Sequence, residues 1–192
     1  SLGLLSTLIG AWTGLNQTQM RKILAASSIA HMGWVISAMT LQRNLAIIAI
    51  TTYFIITTPI FTTIIFTSTK TLQDFSTTWM MAPPLFTATL LSTMSLGGLP
   101  PLTGFMPKWL ILKELTENNL TPFGTVLTLL SLPSLYFYIR MAYVTMLTTP
   151  PSTTNTEQNW RFKFYCHILA APMLMLSTTL LPLIPMFHIT TW

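Results

Sequence analysis

Two stretches of the sequence, Lys22 to Leu41 and Leu45 to Thr67, contain no Asp, Glu, Arg or Lys beyond Lys22 itself. Each is about 20 residues or slightly more, and as a helix would reach ~30 Å, the thickness of a bilayer's hydrocarbon core. Further apolar runs cover Leu2 to Leu15, Ala82 to Leu115, Pro122 to Leu147 and Tyr165 to Ile189, separated by charged, Asn-rich or Pro-rich breaks. In lipid every backbone group must be satisfied within the protein, which leaves helices or closed barrels. No alternation long enough for barrel strands is present. The expected fold is an all-α, polytopic membrane protein forming a single membrane domain over residues 1–192, with about six transmembrane spans.

Composition agrees. Charged residues are 7% of the chain and apolar residues 51%, whereas a soluble domain carries about 25% charge. Threonine recurs in pairs such as Thr57-Thr58 and Thr62-Thr63. Its hydroxyl can bond a carbonyl one turn back, which suits a helix in lipid. The net charge of +5 comes from Lys and Arg scattered singly through apolar sequence. A nucleic-acid surface needs them clustered, so no nucleic-acid partner is expected. The single Cys166 excludes an intramolecular disulfide and any multi-cysteine metal site. The triplets Asn16-Gln17-Thr18 and Asn119-Leu120-Thr121 fit a glycosylation pattern too common to carry weight.

Scattered positive charge at the ends of apolar runs reads as topology. If Ala82 to Leu115 crosses once, Arg21, Lys22, Lys70, Arg161 and Lys163 fall on one side, and Arg43 and Lys113, beside Glu114 and Glu117, on the other. The richer side is expected to face the cytoplasm or matrix. The run Leu2 to Leu15 would be only ~20 Å long, and is expected to be a span cut short, the chain being part of a longer protein. Residues Thr148 to Asn159 are expected to form an exposed loop.

The stretch Ala82 to Leu115 is about 34 residues, too long for one straight crossing and short for two with a loop. Its centre, Gly97-Gly98-Leu99-Pro100-Pro101, cannot continue a helix. A broken span with two half-helices meeting inside the protein is expected; a helix, a short interfacial turn and a second helix is the alternative. Broken spans expose backbone dipoles at membrane depth, where transporters build ion sites.

Lys108 follows the break. A lysine at bilayer depth costs roughly 2.5–3.5 kcal/mol on insertion scales and is by default a functional candidate. If the second half-helix starts near Thr103, burial and the helix N-terminus both oppose the ammonium form, and the group can take up and release a proton. Snorkelling to the interface is the alternative. His31 lies near the middle of its run and can relay protons, or can be a core histidine bonded to a neighbouring hydroxyl. Ser27 and Ser28, on the same helical face, could bond its ring or hold a water. Arg21 and Lys22 read as headgroup anchors, Arg140 as snorkelling, and Lys113 with Glu117 as an i,i+4 interfacial pair. Met and Trp residues read as packing. There is no Gly-rich phosphate loop, Cys cluster or paired-His pattern, so no redox centre, cofactor or metal is expected in this chain.

Two long segments carry a resemblance. One runs Leu15-Asn16-Gln17-Thr18-Gln19-Met20-Arg21-Lys22-Ile23-Leu24-Ala25-Ala26-Ser27-Ser28-Ile29-Ala30-His31-Met32-Gly33-Trp34; the other runs Ser95-Leu96-Gly97-Gly98-Leu99-Pro100-Pro101-Leu102-Thr103-Gly104-Phe105-Met106-Pro107-Lys108-Trp109. With Tyr136-Phe137-Tyr138-Ile139-Arg140 they resemble the subunit-2 branch of the antiporter-like family of mitochondrial NADH–ubiquinone oxidoreductase (complex I), a family related to subunits of cation/proton antiporters. The resemblance covers essentially the whole chain; Ala26 departs from the aromatic residue frequent in relatives. It implies a core membrane-arm subunit in the mitochondrial inner membrane, packed against other membrane subunits and taking part in proton translocation. It also implies that NADH, flavin, iron–sulfur clusters and ubiquinone are bound by partner subunits. The family's midplane chain of ionisable groups places a histidine at His31 and a lysine at Lys108; its other members would lie upstream. A cation/proton antiporter subunit, or a structural subunit with inert buried charges, is the alternative.

Overall fold

A computed structural model of the chain describes residues 2–81 and 83–148, together with Met175 and Ser177. The loop expected beyond Thr148, the run Tyr165 to Ile189, and Arg161, Lys163 and Cys166 lie outside the described residues. Seven helices are seen: α1 (Leu2–Gly14), α2 (Met20–Leu41), α3 (Arg43–Thr67), α4 (Leu72–Met81), α5 (Pro83–Gly97), α6 (Phe105–Glu117) and α7 (Thr121–Leu147). Among the described residues there is no strand, only one isolated antiparallel bridge between Gln19 and Thr71. The architecture is all-helical, as the apolar runs require.

Helices α2, α3 and α7 are long and apolar enough to cross a membrane. α5 and α6, with 15 and 13 residues, are each too short to do so. Helix ends fall where the sequence breaks its apolar runs. α2 and α3 are parted by the single extended residue Gln42. α3 stops at Ser68 and α6 gives way to Asn119, both in the left-handed region at φ 49° and 58°.

The hydroxyls behave as the composition requires. Thr52 donates to Ile48 at 2.9 Å, Thr57 to Tyr53 at 2.9 Å, Thr63 to Ile60 at 2.8 Å and Thr145 to Met141 at 2.9 Å. A proline ring inside a helix frees the carbonyl four residues back. For Pro59 in α3 that carbonyl is Ile55, which accepts from Thr58 at 3.3 Å. The outer surface is apolar: Trp12, Ile65 and Leu129 are 74%, 72% and 63% exposed. Such a surface needs lipid or another subunit against it.

Two cross-links define the ends of the bundle. At one end the α1–α2 and α3–α4 connections join, Met20 N–H donating to Lys70 at 3.2 Å and Leu72 N–H to Thr18 at 3.2 Å. At the other, Gln42 Nε2 donates to Glu114 Oε1 at 2.6 Å, tying the α2–α3 turn to the last turn of α6. Lys113 pairs with Glu117 at 3.6 Å on the exposed face of α6, as its spacing predicts. Arg140, expected to snorkel, donates from Nη1 to the Leu15 carbonyl in the α1–α2 connection, at the first of these ends.

Among the described residues two large apolar clusters form the core, with a small third around Ile48. Met20, Leu24, Ile56, Phe86, Leu96 and Tyr138 belong to the first. Trp34, Val35, Leu45, Ile111, Leu115 and Leu127 belong to the second. Leu96 near the end of α5 belongs to the first and Ile111 of α6 to the second, on either side of the interruption between these helices.

Candidate functional site

The segment 98–104 is held by a ladder of short turns. Gly98 N–H donates to Ser95 at 2.9 Å, Leu102 N–H to Leu99 at 2.9 Å and Phe105 N–H to Leu102 at 3.1 Å. α5 ends at Gly97, and Gly98 turns the chain at φ 83°, a conformation that strains any residue with a Cβ. Pro100 and Pro101 lack N–H groups and fall in the turn, where none is needed. Gly104 seats the returning chain on α5, since a Cβ there would run into the Ser95 carbonyl. Thr103, expected near the start of the second helix, lies before it; α6 begins at Phe105 with Gly104 as its cap. The Thr103 hydroxyl donates instead to the Ser177 carbonyl at 2.7 Å.

Lys108 is one turn into α6, and a helical side chain leans toward the N-terminus of its own helix. Its stem therefore folds back over the interruption, and Nζ donates to the Gly97 carbonyl at 3.0 Å. Gly97 is the last residue of α5, so this oxygen is at the negative end of that helix dipole. The lysine thus lies between the positive end of α6 and the negative end of α5, whereas the expectation weighed α6 alone. Gly98 leaves room for the stem: a Cβ there would approach Lys108 Nζ to 2.9 Å. Nζ also lies 5.8 Å from the centre of the Trp34 ring, within cation–π range.

His31 is brought to the same place from α2. Its ring meets Tyr53 of α3 with centroids 5.0 Å apart and planes at 40°. It is within interaction range of the Leu96 backbone and of Lys108. A cavity of about 30 Å³ separates the groups, lined by His31, Trp34, Thr52, Tyr53, Leu96 and Lys108 among others. That is enough room for a water. A smaller cavity of about 10 Å³ adjoins it, lined by Ser27, Ala30, His31, Trp34, Lys108, Ser134 and Tyr138. His31 and Lys108, far apart in sequence, share both.

The two serines do not bond the imidazole. Ser27 donates to the Leu24 carbonyl and Ser28 to the Ala25 carbonyl, each at 2.7 Å. An intrahelical carbonyl is always within reach of a helical serine, and here both hydroxyl protons go there. Ser27 nonetheless lines the smaller cavity. Trp34, Tyr53, Ser134 and Tyr138 were not expected at the site. Trp34 shares a helical face with His31 at i,i+3, and Ser134 shares one with Tyr138 at i,i+4. Those spacings were legible, but nothing in the sequence linked α3 or α7 to α2.

Residues 1–133 match the family described as NADH:quinone oxidoreductase/Mrp antiporter, TM, and residues 135–188 match the NADH dehydrogenase subunit 2 C-terminus. Among curated relatives, NADH-ubiquinone oxidoreductase chain 2 of Sylvisorex ollula is 49% identical over 97% of this chain and 54% of its own length. That of Gallus gallus is 46% identical over 96% of this chain and 54% of its own. The chain spans about half the length of the curated relatives it matches. The Mrp complex from Dietzia sp. DQ12-45-1b contains a chain of the same fold, with TM-score 0.71 and 18% identity over 98% of this chain and 44% of the other. Respiratory complex I from Thermus thermophilus contains another, with TM-score 0.69 and 24% identity over 94% and 44%. By sequence over most of its length, and by a fold common to both structures, the chain belongs to the NADH:quinone oxidoreductase/Mrp antiporter transmembrane family.

Proposed function

We propose that this chain is part of a membrane-arm subunit of NADH–ubiquinone oxidoreductase in the mitochondrial inner membrane, and that it takes part in proton translocation. Electron transfer from NADH to ubiquinone takes place on partner subunits, which carry the flavin, the iron–sulfur clusters and the quinone. This chain supplies ionisable groups inside the membrane and packs against other membrane subunits. Residues 1–192 act as one membrane domain.

The observation that carries the reading is the pairing of Lys108 and His31 across a cavity large enough for water, inside an apolar bundle. A group at bilayer depth that can exchange a proton through water is the elementary part of a proton path. We read α5 and α6 as one interrupted crossing. In support, α5 follows the end tied together by Lys70 and Thr18, and α6 finishes at the end tied by Gln42 and Glu114. With α1, α2, α3 and α7, and the run Tyr165 to Ile189, the count is six spans, one of them broken at Gly97, Gly98, Pro100 and Pro101. The interruption lets Lys108 reach a carbonyl that a continuous helix would occupy.

The fold is equally that of an Mrp complex subunit, so a cation/proton antiporter is the second reading. Both are tested by Lys108→Met in the full-length subunit within its assembled complex. The proposal expects NADH:ubiquinone turnover and proton yield to fall severalfold with the complex intact. Full turnover with full proton yield would overturn it. Cation-driven proton movement without NADH or quinone would favour the antiporter.

A further inference from the structure

The carboxylates among the described residues are Asp74, Glu114 and Glu117, and each is engaged away from Lys108. Asp74 accepts from the Thr71 N–H, Glu114 accepts from Gln42 Nε2, and Glu117 pairs with Lys113. His31, Tyr53 and Tyr138, the other titratable side chains lining its cavities, supply no anion near neutral pH. An ammonium inside an apolar bundle without a counter-charge is costly, and any attraction offered to it there counts for more than in water.

Two groups offer one. The Gly97 carbonyl is 3.0 Å from Nζ, and the centre of the Trp34 ring is 5.8 Å from it. Among aromatic side chains the indole draws a cation most strongly, and the pull grows when the pair is desolvated. Both groups are held in place. Gly97 ends α5; Trp34 is 5% exposed and belongs to the apolar cluster that includes Val35, Leu45 and Ile111. Lys108 is the movable member, a flexible four-carbon stem passing the open side of Gly98.

We propose that Trp34 is a positioning residue for Lys108: its ring and the Gly97 carbonyl form a seat that holds the ammonium over the interruption. The ring acts on the charged form alone, since a neutral amine gives its quadrupole no cation to attract. The seat therefore ties the lysine's place to its protonation, and ties α2 to α6 across the break. The inference rests on the reading of Lys108 as a proton-exchanging group and adds what fixes that group in position. Trp34 itself takes up and releases no proton.

The test is a pair of substitutions, Trp34→Phe and Trp34→Leu, each made in the assembled complex with Lys108 present and again with Lys108→Met. Phe keeps a ring of weaker pull, and Leu removes the ring. The seat predicts normal assembly, with turnover lower by about threefold in Trp34→Phe and about tenfold in Trp34→Leu. KM for NADH and for ubiquinone should stay at the parent values, because partner subunits bind both. In the Lys108→Met background neither substitution should cost anything further. A ring that only fills space would cost the same factor in both backgrounds, and that result would overturn the seat. Parent-like turnover in Trp34→Leu, with Lys108→Met impaired, would also overturn it and leave the lysine reading standing. Unimpaired Lys108→Met would overturn both. If Trp34→Leu does not assemble, Trp34→Phe decides. A loss in intact complex that disappears with Lys108→Met supports the seat; parent-like turnover, or a loss in proportion to missing complex, overturns it.

Discussion

Lys108 and Gly98 are coupled through space rather than sequence. The glycine turns the chain at φ 83°, and its missing Cβ is where the lysine stem passes. Gly98→Ala would incur both penalties at once: backbone strain of about 1–2 kcal/mol, and a methyl 2.9 Å from Nζ. The expected outcome is a modest drop in thermal stability and a clear drop in proton-coupled turnover, measured on purified complex. Gly104→Ala should be harsher, because the atom in its way is backbone and cannot step aside. Its expected outcome is failure to assemble, visible on a native gel. Lys108 and His31 themselves were legible in the sequence, as ionisable groups stranded in apolar runs. The bonding of Ser27 and Ser28 was not, since spacing puts a serine on the right face without saying which acceptor its proton chooses. Tyr138 stood out only within the segment Tyr136-Phe137-Tyr138-Ile139-Arg140 that carries the resemblance; its place beside Lys108 depends on how α7 packs, which no local pattern encodes.

Helix α4 lay between the expected runs and was not anticipated, because Leu72–Met81 is too short and polar to read as a span. The sequence did carry a start signal. Asp74 N–H donates to the Thr71 hydroxyl at 3.1 Å, and Thr71 N–H donates to Asp74 Oδ2 at 3.0 Å, a reciprocal capping box. The Thr71 backbone and then its side chain hold the Asp74 carboxyl below the ordinary carboxylate range. A depressed carboxyl favours the folded helix end above its unfolded value, near 3.9. That contribution is lost as pH falls through the lower folded value. Asp74→Asn should therefore speed amide exchange at Leu72 to Phe75 at neutral pH and change little in strong acid. Thr71→Ala should cost about 1 kcal/mol of local stability, read from the same amides. The interruption between α5 and α6 was foreseen from Gly97, Gly98, Pro100 and Pro101. The return of Lys108 to the carbonyl of the preceding helix was not, because the site uses two helix dipoles and the spacing points to one.

For the whole molecule, the helix bundle followed from charge scarcity and run length, since in lipid only helices and closed barrels satisfy their own backbone hydrogen bonds and the sequence has no alternation for barrel strands. The depth of each residue depends on which ends meet, and this comes from the two cross-links, Lys70 with Met20 and Gln42 with Glu114. They make a topology prediction. Cysteines replacing Lys70 and Lys113 should react with a membrane-impermeant thiol reagent from opposite sides of sealed vesicles. Lys113 can be replaced at little cost, because its pair with Glu117 is solvent-exposed. Reaction of both from one side would remove the single interrupted crossing. The central claim is that Lys108 and His31 act as one unit in proton transfer. Its most direct measurement is a double-mutant cycle on proton-coupled turnover in the assembled complex, with Lys108→Met, His31→Ala and the two combined. The account predicts that each single variant loses a similar factor and that the double variant loses little more. Losses that multiply, or a single variant that keeps full proton yield, would contradict it.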